Sequence, residues 1–329
     1  MICPQISESP SMFSKERFIS QAIELGFCKV GFCMPDCFDA AKQIVDSQET
    51  LSERKQLRFS PKDDHPEVRS IAVLLWPYLP AQKPDDGCVF VDSYYAASNA
   101  AYHAARALET RVQAEGCFAK ANVSYPAKTA ALRAGMGVIG KNSLLITPEW
   151  GSRVVIILMA TGIELPSAEI SSTCSGTCFA CGRCSHACPA GAITNDGMTH
   201  PERCLRNYMM EGVVVPEHLR AKIGMRMIGC DICQRVCPMQ PHTEVHDGRR
   251  YLLDDFMAED DSAFSCAVAA LASEIGRNSA RPQRVRAQAA LLAGNSKNPR
   301  FLPILHQWAQ SPFDAVCVHA KWAIQQIEQ

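Results

Sequence analysis

The spacing of apolar residues changes along this chain, and each change marks an element. From Ser14, the residues Phe18, Ala22 and Leu25 recur at helical spacing between a serine suited to capping and Gly26, suited to stopping. A helix over about 15 to 25 is predicted. CKVGFC at 28 to 33 and SIAVLLWPY at 70 to 78 break that period and read as strands, the second apolar enough for burial on both faces. Helical spacing returns from Ser93 to Gly116, and VVIILMATG at 154 to 162 reads as another central strand. Residues 1 to about 168 thus predict one α/β domain with a mixed or antiparallel sheet. Beyond 245, FSCAVAALASEIG, RVRAQAALLAG and AVCVHAKWAIQQI are amphipathic, alanine-rich and joined by short polar turns. They predict a helical-repeat (HEAT-like) domain over 246 to 329 and an α+β fold class for the whole.

Between these parts lies a cysteine-rich stretch, 169 to 245. Cys178-x2-Cys181-x2-Cys184-x3-Cys188-Pro189 matches the bacterial ferredoxin pattern, in which three cysteines hold one [4Fe–4S] cluster and the fourth reaches to another. Cys230-x2-Cys233-x3-Cys237-Pro238 answers it with three more, and Cys204 brings the total to the eight that two cubanes need. The expected sets are Cys178, Cys181, Cys184 and Cys237 for one cluster, and Cys188, Cys204, Cys230 and Cys233 for the other. Paired Cys-x2-Cys units also build zinc ribbons, the competing reading, although a tetrahedral site has no use for two CP-terminated runs.

Composition narrows the setting. With 47% hydrophobic and 20% charged residues the chain is an ordinary globular protein, not a disordered one. A net charge of -1 offers no global attraction to nucleic acid or anionic lipid, so any such contact needs a local patch. Of seventeen cysteines, eight sit at cluster spacing. The other nine, among them Cys3, Cys28, Cys33, Cys37, Cys88, Cys117, Cys174, Cys266 and Cys317, show no pairing logic and are expected mostly as small buried residues in a reducing compartment. The start MICPQISESPSMF lacks a basic region followed by an apolar run, so a cytoplasmic location is expected. The stretch VVIILMA falls far short of the roughly 20 residues that span a bilayer.

Residues 130 to 153, AALRAGMGVIGKNSLLITPEWGSR, carry glycines at 135, 137, 140 and 151 around Lys141 and Asn142. Glycines let a backbone approach a large ligand, and lysine and asparagine offer polar contacts. A tight turn explains the spacing equally well. GMGVIGKNSLL, followed by a strand and the double-cluster run, resembles the epoxyqueuosine reductase family. So do YYAASNAAYH, PERCLRNYM, IGCDICQRVCP, RVRAQAALLAGNS and HAKWAI, in order over roughly residues 90 to 329. LLITPEWGSRV is also similar to a segment of reductive dehalogenases. Both resemblances imply cobalamin held between the N-terminal domain and the nearer of two [4Fe–4S] clusters, with Tyr102, His103, Gly135, Gly137, Gly140, Lys141, Asn142 and Ser143 as expected cofactor contacts. His103 reads equally as an ordinary helix-surface residue. The nearest approach to a D-x-H-x-x-G cobalamin loop, Asp63 to Val68, has valine in place of glycine. His65 is therefore expected at the surface and the corrin base-off.

The resemblance implies reduction of epoxyqueuosine to queuosine in tRNA, with electrons passed through the clusters to cobalt and a proton given by an aspartate upstream of the glycine loop. Here that segment reads Val123-Ser124-Tyr125-Pro126, and an ungapped register places Ala121 there instead. The aspartate is absent, and losing a general acid typically costs about 10² to 10⁴ in rate. Tyr125 is the expected replacement, by similarity to the dehalogenases; packing of the domain edge is its alternative. Pro126-Ala127-Lys128-Thr129-Ala130 resembles a separate, short branch of the family. Arg277, Arg281, Arg284, Arg286, Lys297 and Arg300, with no acidic residue among them, could neutralise several phosphates. In the family the helical tail, including its GNS turn (Gly294 to Ser296 here), helps grip tRNA; a solvated basic face, or contact with the cluster domain, is the alternative. The competing function is a double-cluster electron-transfer or corrinoid-reducing partner protein, with reductive dehalogenation a weaker third. An external low-potential electron donor is expected, and no membrane.

Overall fold

A computed structural model describes residues 13–46, 57–165, 178–194, 199–241, 244–245 and 249–329. The predicted boundary at 168/169, Cys3 and Cys174 lie outside them. The first helix, α1 (Lys15–Glu24), starts as its sequence predicts, with the Ser14 hydroxyl accepting from the Arg17 N–H at 3.2 Å and Phe18 and Ala22 buried. It is followed by β1 (Lys29–Cys33), α2 (Asp39–Asp46), the single-turn α3 (Pro61–Asp64), β2 (Ser70–Pro77) and β3 (Cys88–Val91). The long α4 (Ser93–Ala114) is capped by Asp92, whose carboxylate accepts from the Tyr94 N–H. Next come β4 (Ala119–Ala121), α5 (Ala127–Arg133), the short pair β5 (Val138–Ile139) and β6 (Leu145–Ile146), and β7 (Val154–Thr161).

The main sheet runs β1-β2-β7-β4, and every pairing is antiparallel. Alternation of side chains divides its two faces. Ala72, Leu74, Val155 and Met159 pack under α1 and α4, while Ile71, Val73, Leu75, Leu158 and Ala160 face α5 and Phe38. Because both faces are covered, β2 and β7 are continuous apolar runs even though the sheet is antiparallel.

The second half begins with α6 (Arg183–Ala187), α7 (Leu205–Glu211), α8 (Glu217–Ile223), β8 (Arg226–Ile228), α9 (Ile232–Arg235) and β9 (Tyr251–Leu252). It ends with α10 (Leu253–Phe256), α11 (Asp261–Ile275), α12 (Pro282–Ser296), α13 (Leu302–Trp308) and α14 (Asp314–Glu328). The three alanine-rich segments fall in α11, α12 and α14, and α13 adds a helix that their pattern did not single out. β3 pairs in parallel with β8 and antiparallel with β9, which ties the first half to the second. One core runs from Val89 and Tyr95 through Leu205, Leu219 and Ile223 to Leu291, Leu305 and Ala320, so α7 and α8 share it with the terminal helices. No helix among the described residues is long and apolar enough to cross a membrane.

Candidate functional site

The glycine loop is a hairpin. Gly135 turns the chain out of α5 at φ +64°, and β5 pairs with β6 through Val138↔Ile146 and Ile139↔Leu145. Its tip closes with Gly140 N–H donating to the Leu144 carbonyl at 2.9 Å and Ser143 N–H to the Gly140 carbonyl at 2.8 Å. A Cβ on Gly137 would collide with the Ile146 carbonyl oxygen, and one on Gly140 would sit 2.5 Å from Ile146 Cδ1. Close packing inside the hairpin therefore accounts for both glycines. Asn142 is buried and its Oδ1 accepts from the Leu144 N–H at 3.3 Å, while Ser143 donates its hydroxyl to Thr199 Oγ1 at 2.7 Å.

The hairpin tip meets the cysteines. Lys141 and Asn142 line a small recess with Cys178, Phe179, Cys181, Cys184 and Cys237, a cavity of about 20 Å³ that opens to solvent. The chain beyond Cys237 packs on the turn before β7: a Cβ on Gly151, φ +54°, would collide with the Met239 carbonyl, and Gln240 donates to Ser152 Oγ at 2.6 Å. Burial, then Cys237 and Cys178, push the Cys184 thiol up; burial, then Cys178 and Cys181, do the same to Cys237. The second set gathers equally well. Burial raises Cys233, with Cys230, Cys204, Cys188 and then Cys184 adding to it, and burial pushes Cys230 up to about 11. Cys188 Sγ accepts from the Ala192 N–H at 3.3 Å. The structure thus brings together the two quartets expected from spacing and makes them neighbours at Cys184 and Cys233. Among the described residues no three such ligands close on a point one ion could occupy.

Beside the second quartet lies a buried charged network that sequence reasoning missed. Asp231, next to Cys230, forms an ion pair with Arg235, whose Nε is 2.7 Å away, and lies 3.9 Å from Arg153 Nη1. The Tyr78 hydroxyl donates to Gln234 Oε1 at 3.1 Å, next to Cys233. Asp92 is held close to the Cys230 segment: its N–H donates to the Ile228 carbonyl at 3.0 Å, and a Cβ on Gly229 would collide with its side chain. Burial and then Asp231 push Asp92 up to about 6. Arg206, two residues past Cys204, lies over the Tyr94 and Tyr95 rings. The available signal was position, since a polar or charged residue directly follows two of the four ligands of this set, Asp231 after Cys230 and Gln234 after Cys233.

The other expected residues are placed as follows. Tyr102 is half exposed on the outer side of α4, its ring edge-on to that of His103 at 5.4 Å. Tyr125 is 3% exposed and stacks on Phe38 at 6.0 Å. Burial and the facing Asp64 carboxylate push its hydroxyl well above the usual phenol range. Asp64 is held by Arg58 at 3.2 Å, whose backbone N–H donates to the Ser124 carbonyl. His65 is not a free surface group: it is half buried, its ring against that of Phe118. Cys37 and Cys266 are exposed, correcting their expected burial.

The basic stripe is also corrected. Arg286 pairs with Asp261 at 3.0 Å and covers Phe264, Arg300 pairs with Asp254 at 2.6 Å, and Arg284 donates to the Asn278 carbonyl. Arg277, Arg281 and Lys297 are the exposed cations that no described acidic group engages. Acidic residues remote in sequence pair with Arg286 and Arg300, which a local charge count could not detect. The GNS turn is internal too. Gly294 lets α12 close on α14, a Cβ there lying 2.8 Å from Ala323 Cα, and Asn295 donates to the Arg220 and Gly224 carbonyls at the end of α8.

A fold joining a covered antiparallel sheet to two thiol quartets defines a double-cluster iron–sulfur oxidoreductase. Residues 177–240 match the family model of the 4Fe-4S double cluster binding domain. An epoxyqueuosine reductase of Gloeobacter violaceus is 30% identical over 262 residues, covering 73% of this chain and 80% of that protein. One from Bacillus subtilis is 30% identical over 256 residues, 70% of this chain and 65% of its own length. The fold matches a solved epoxyqueuosine reductase in complex with an epoxyqueuosine-modified tRNA-Tyr stem loop, with TM-score 0.76, 24% identity, and coverage of 96% of this chain and 90% of that one. The chain belongs to the epoxyqueuosine reductase family.

Proposed function

We propose that this protein is a corrinoid-dependent iron–sulfur reductase that removes the oxygen of an epoxide, epoxyqueuosine in tRNA or a closely related group. Two electrons and two protons convert such an epoxide to a carbon–carbon double bond and water. The observation that carries this reading is the meeting of the glycine hairpin with the first thiol quartet, in a chain of this family. A bound corrin would supply a strongly reducing metal centre that no side chain offers. The donor set suits such a group: Lys141 beside the recess can meet its amides, Tyr102 and His103 stand exposed on α4 for further contacts, and His65, held on Phe118, is no lower ligand. The layout that fits is a corrinoid-binding domain over 1–168, a ferredoxin-like cluster domain over 169–245 and a HEAT-like helical repeat over 246–329. An external low-potential donor reduces the clusters, and the site of action is the cytoplasm.

The proton source is Tyr125, with the facing Asp64 as the neighbouring carboxylate. With its ring on Phe38 the hydroxyl keeps its proton, so donation requires the 123–126 loop to withdraw. Tyr125→Phe should lower turnover by about 10² or more. Unchanged turnover would reduce Tyr125 to packing.

The tRNA contact is carried by Arg277, Arg281 and Lys297. Replacing all three with alanine should flatten the salt dependence of binding, since each phosphate neutralised contributes about 0.7 to 0.9 to the slope of log K against log salt. No complex at low salt in the unaltered protein would end the RNA reading.

Anaerobic reconstitution, cobalamin titration followed by cobalt(II) EPR, and then turnover of epoxyqueuosine tRNA test the whole. Stoichiometric base-off cobalt with turnover supports the enzyme. Absence of corrin binding supports the second reading, a double-cluster electron-transfer protein, which the buried Tyr125 and the missing aspartate favour.

A further inference from the structure

Arg153, just before β7, is 3% exposed. A buried guanidinium is costly unless its charge and its N–H groups find partners. Here they do not: among the described residues Nε and Nη1 make no hydrogen bond, and the Asp231 carboxylate is 3.9 Å away and more tightly engaged by Arg235 at 2.7 Å. Its charge is met only by Asp231, which it shares with Arg235, and by the buried Asp92 carboxyl, on which it acts to lower the pKa. The carboxylates facing it are Asp231, adjacent to Cys230 of the second quartet, and Asp92, held against Gly229 on the other side of that cysteine. A [4Fe–4S] cluster on four thiolates is itself an anion and gains one more negative charge on reduction.

The quartets differ in setting. The first opens onto the solvent-facing recess and includes the exposed Cys181, so water screens its charge. The second lies against the shared core, where Cys230 packs with buried apolar residues. In that setting fixed charges act strongly, and net charge, hydrogen bonding and solvent exposure are the levers on cluster potential. We propose that Arg153 is the buried counter-charge of the second cluster, and that its balance against Asp92 and Asp231 sets that cluster's reduction potential relative to the first. Arg226, which acts on Cys230 from β8, and Arg235 and Arg206 add positive charge, but Arg235 is a quarter exposed and already committed to Asp231. The proposal concerns the clusters alone and stands whether or not a corrin binds.

The alternative is a purely structural link between the sheet and the cluster segment, and potentials separate the two. The full chain is reconstituted anaerobically and both couples are followed by EPR-monitored reductive titration at pH 8, where Asp92 is ionised. Cys204→Ser, which alters a second-set ligand, identifies which couple belongs to that cluster. Arg153→Met should lower this couple by about tenfold in its one-electron reduction equilibrium, about 59 mV, and leave the first couple in place. Arg153→Lys, which keeps the charge, should restore most of the shift. Asp92→Asn should move the same couple the opposite way, because asparagine keeps the helix cap while removing a negative charge. Neither couple moving in Arg153→Met, both moving equally, or a shift in Arg153→Lys as large as in Arg153→Met would each overturn the proposal. If Arg153→Met fails to assemble clusters, an unmoved couple in Asp92→Asn overturns it.

Discussion

Single residues decide whether each quartet can assemble. Gly151 and Gly229 both have positive φ, +54° and +85°, and both face backbone or side chain where a Cβ would collide. Their neighbours differ: Met239 and Gln240 beyond Cys237 for Gly151, and Asp92 beside the Cys230 segment for Gly229. Gly151→Ala and Gly229→Ala should each cost about 1 to 3 kcal/mol, and each should selectively impair one cluster. Iron per chain near half the unaltered value, with opposite EPR signals lost in the two variants, is the expected result. At this scale the sequence was partly legible. Ligand spacing within each run is local, so the cysteines were readable. The roles of Gly229 and Arg153 were not, because each is defined by a residue distant in the chain.

Among the elements, α12 and α14 form the tightest pair, with Ala289, Ala290, Ala293, Ala320 and Ala323 fully buried between or beside them. His319 on α14 pins this pair to the loop before α8. Its Nδ1–H donates to the Ala287 carbonyl at 3.0 Å, and its Nε2 accepts from the Val215 N–H at 2.9 Å. That arrangement requires a neutral ring, and burial pushes the imidazole down to about 4. A folded value below the unfolded one, about 6.5, means that the stability it contributes is complete above pH 6.5 and lost progressively as pH falls toward 4. By pH 5 the loss should be about 2 kcal/mol. Melting temperature followed from pH 7 to 5 should fall less steeply in His319→Gln than in the unaltered protein. The amphipathic pattern predicted these helices, whereas His319 reads in sequence as one more polar residue on a helix.

For the whole molecule, the iron sites and the main sheet are separate sources of order. The sheet has a core on each face built from residues 18 to 163, while the cluster ligands lie between 178 and 237 and lean on the other core. Because cluster binding energy is folding energy for the segment that holds it, removing iron should loosen that segment first. Chelation under reducing conditions should abolish hydrogen-exchange protection over 178 to 241 while β2 and β7 keep theirs; uniform loss would show one cooperative unit. The sequence by itself determined the strands and helices, the two cysteine runs and the absence of the family aspartate, since periodicity, spacing and identity are properties of neighbouring positions. Only the tertiary structure decided that the sheet is wholly antiparallel, that Tyr125 lies in the core, that Asp254 and Asp261 neutralise Arg300 and Arg286, and that Arg153 stands buried beside the second quartet. Each of those outcomes rests on contacts between segments far apart in the chain, where burial and charge pairing are set by packing and leave no mark on local pattern.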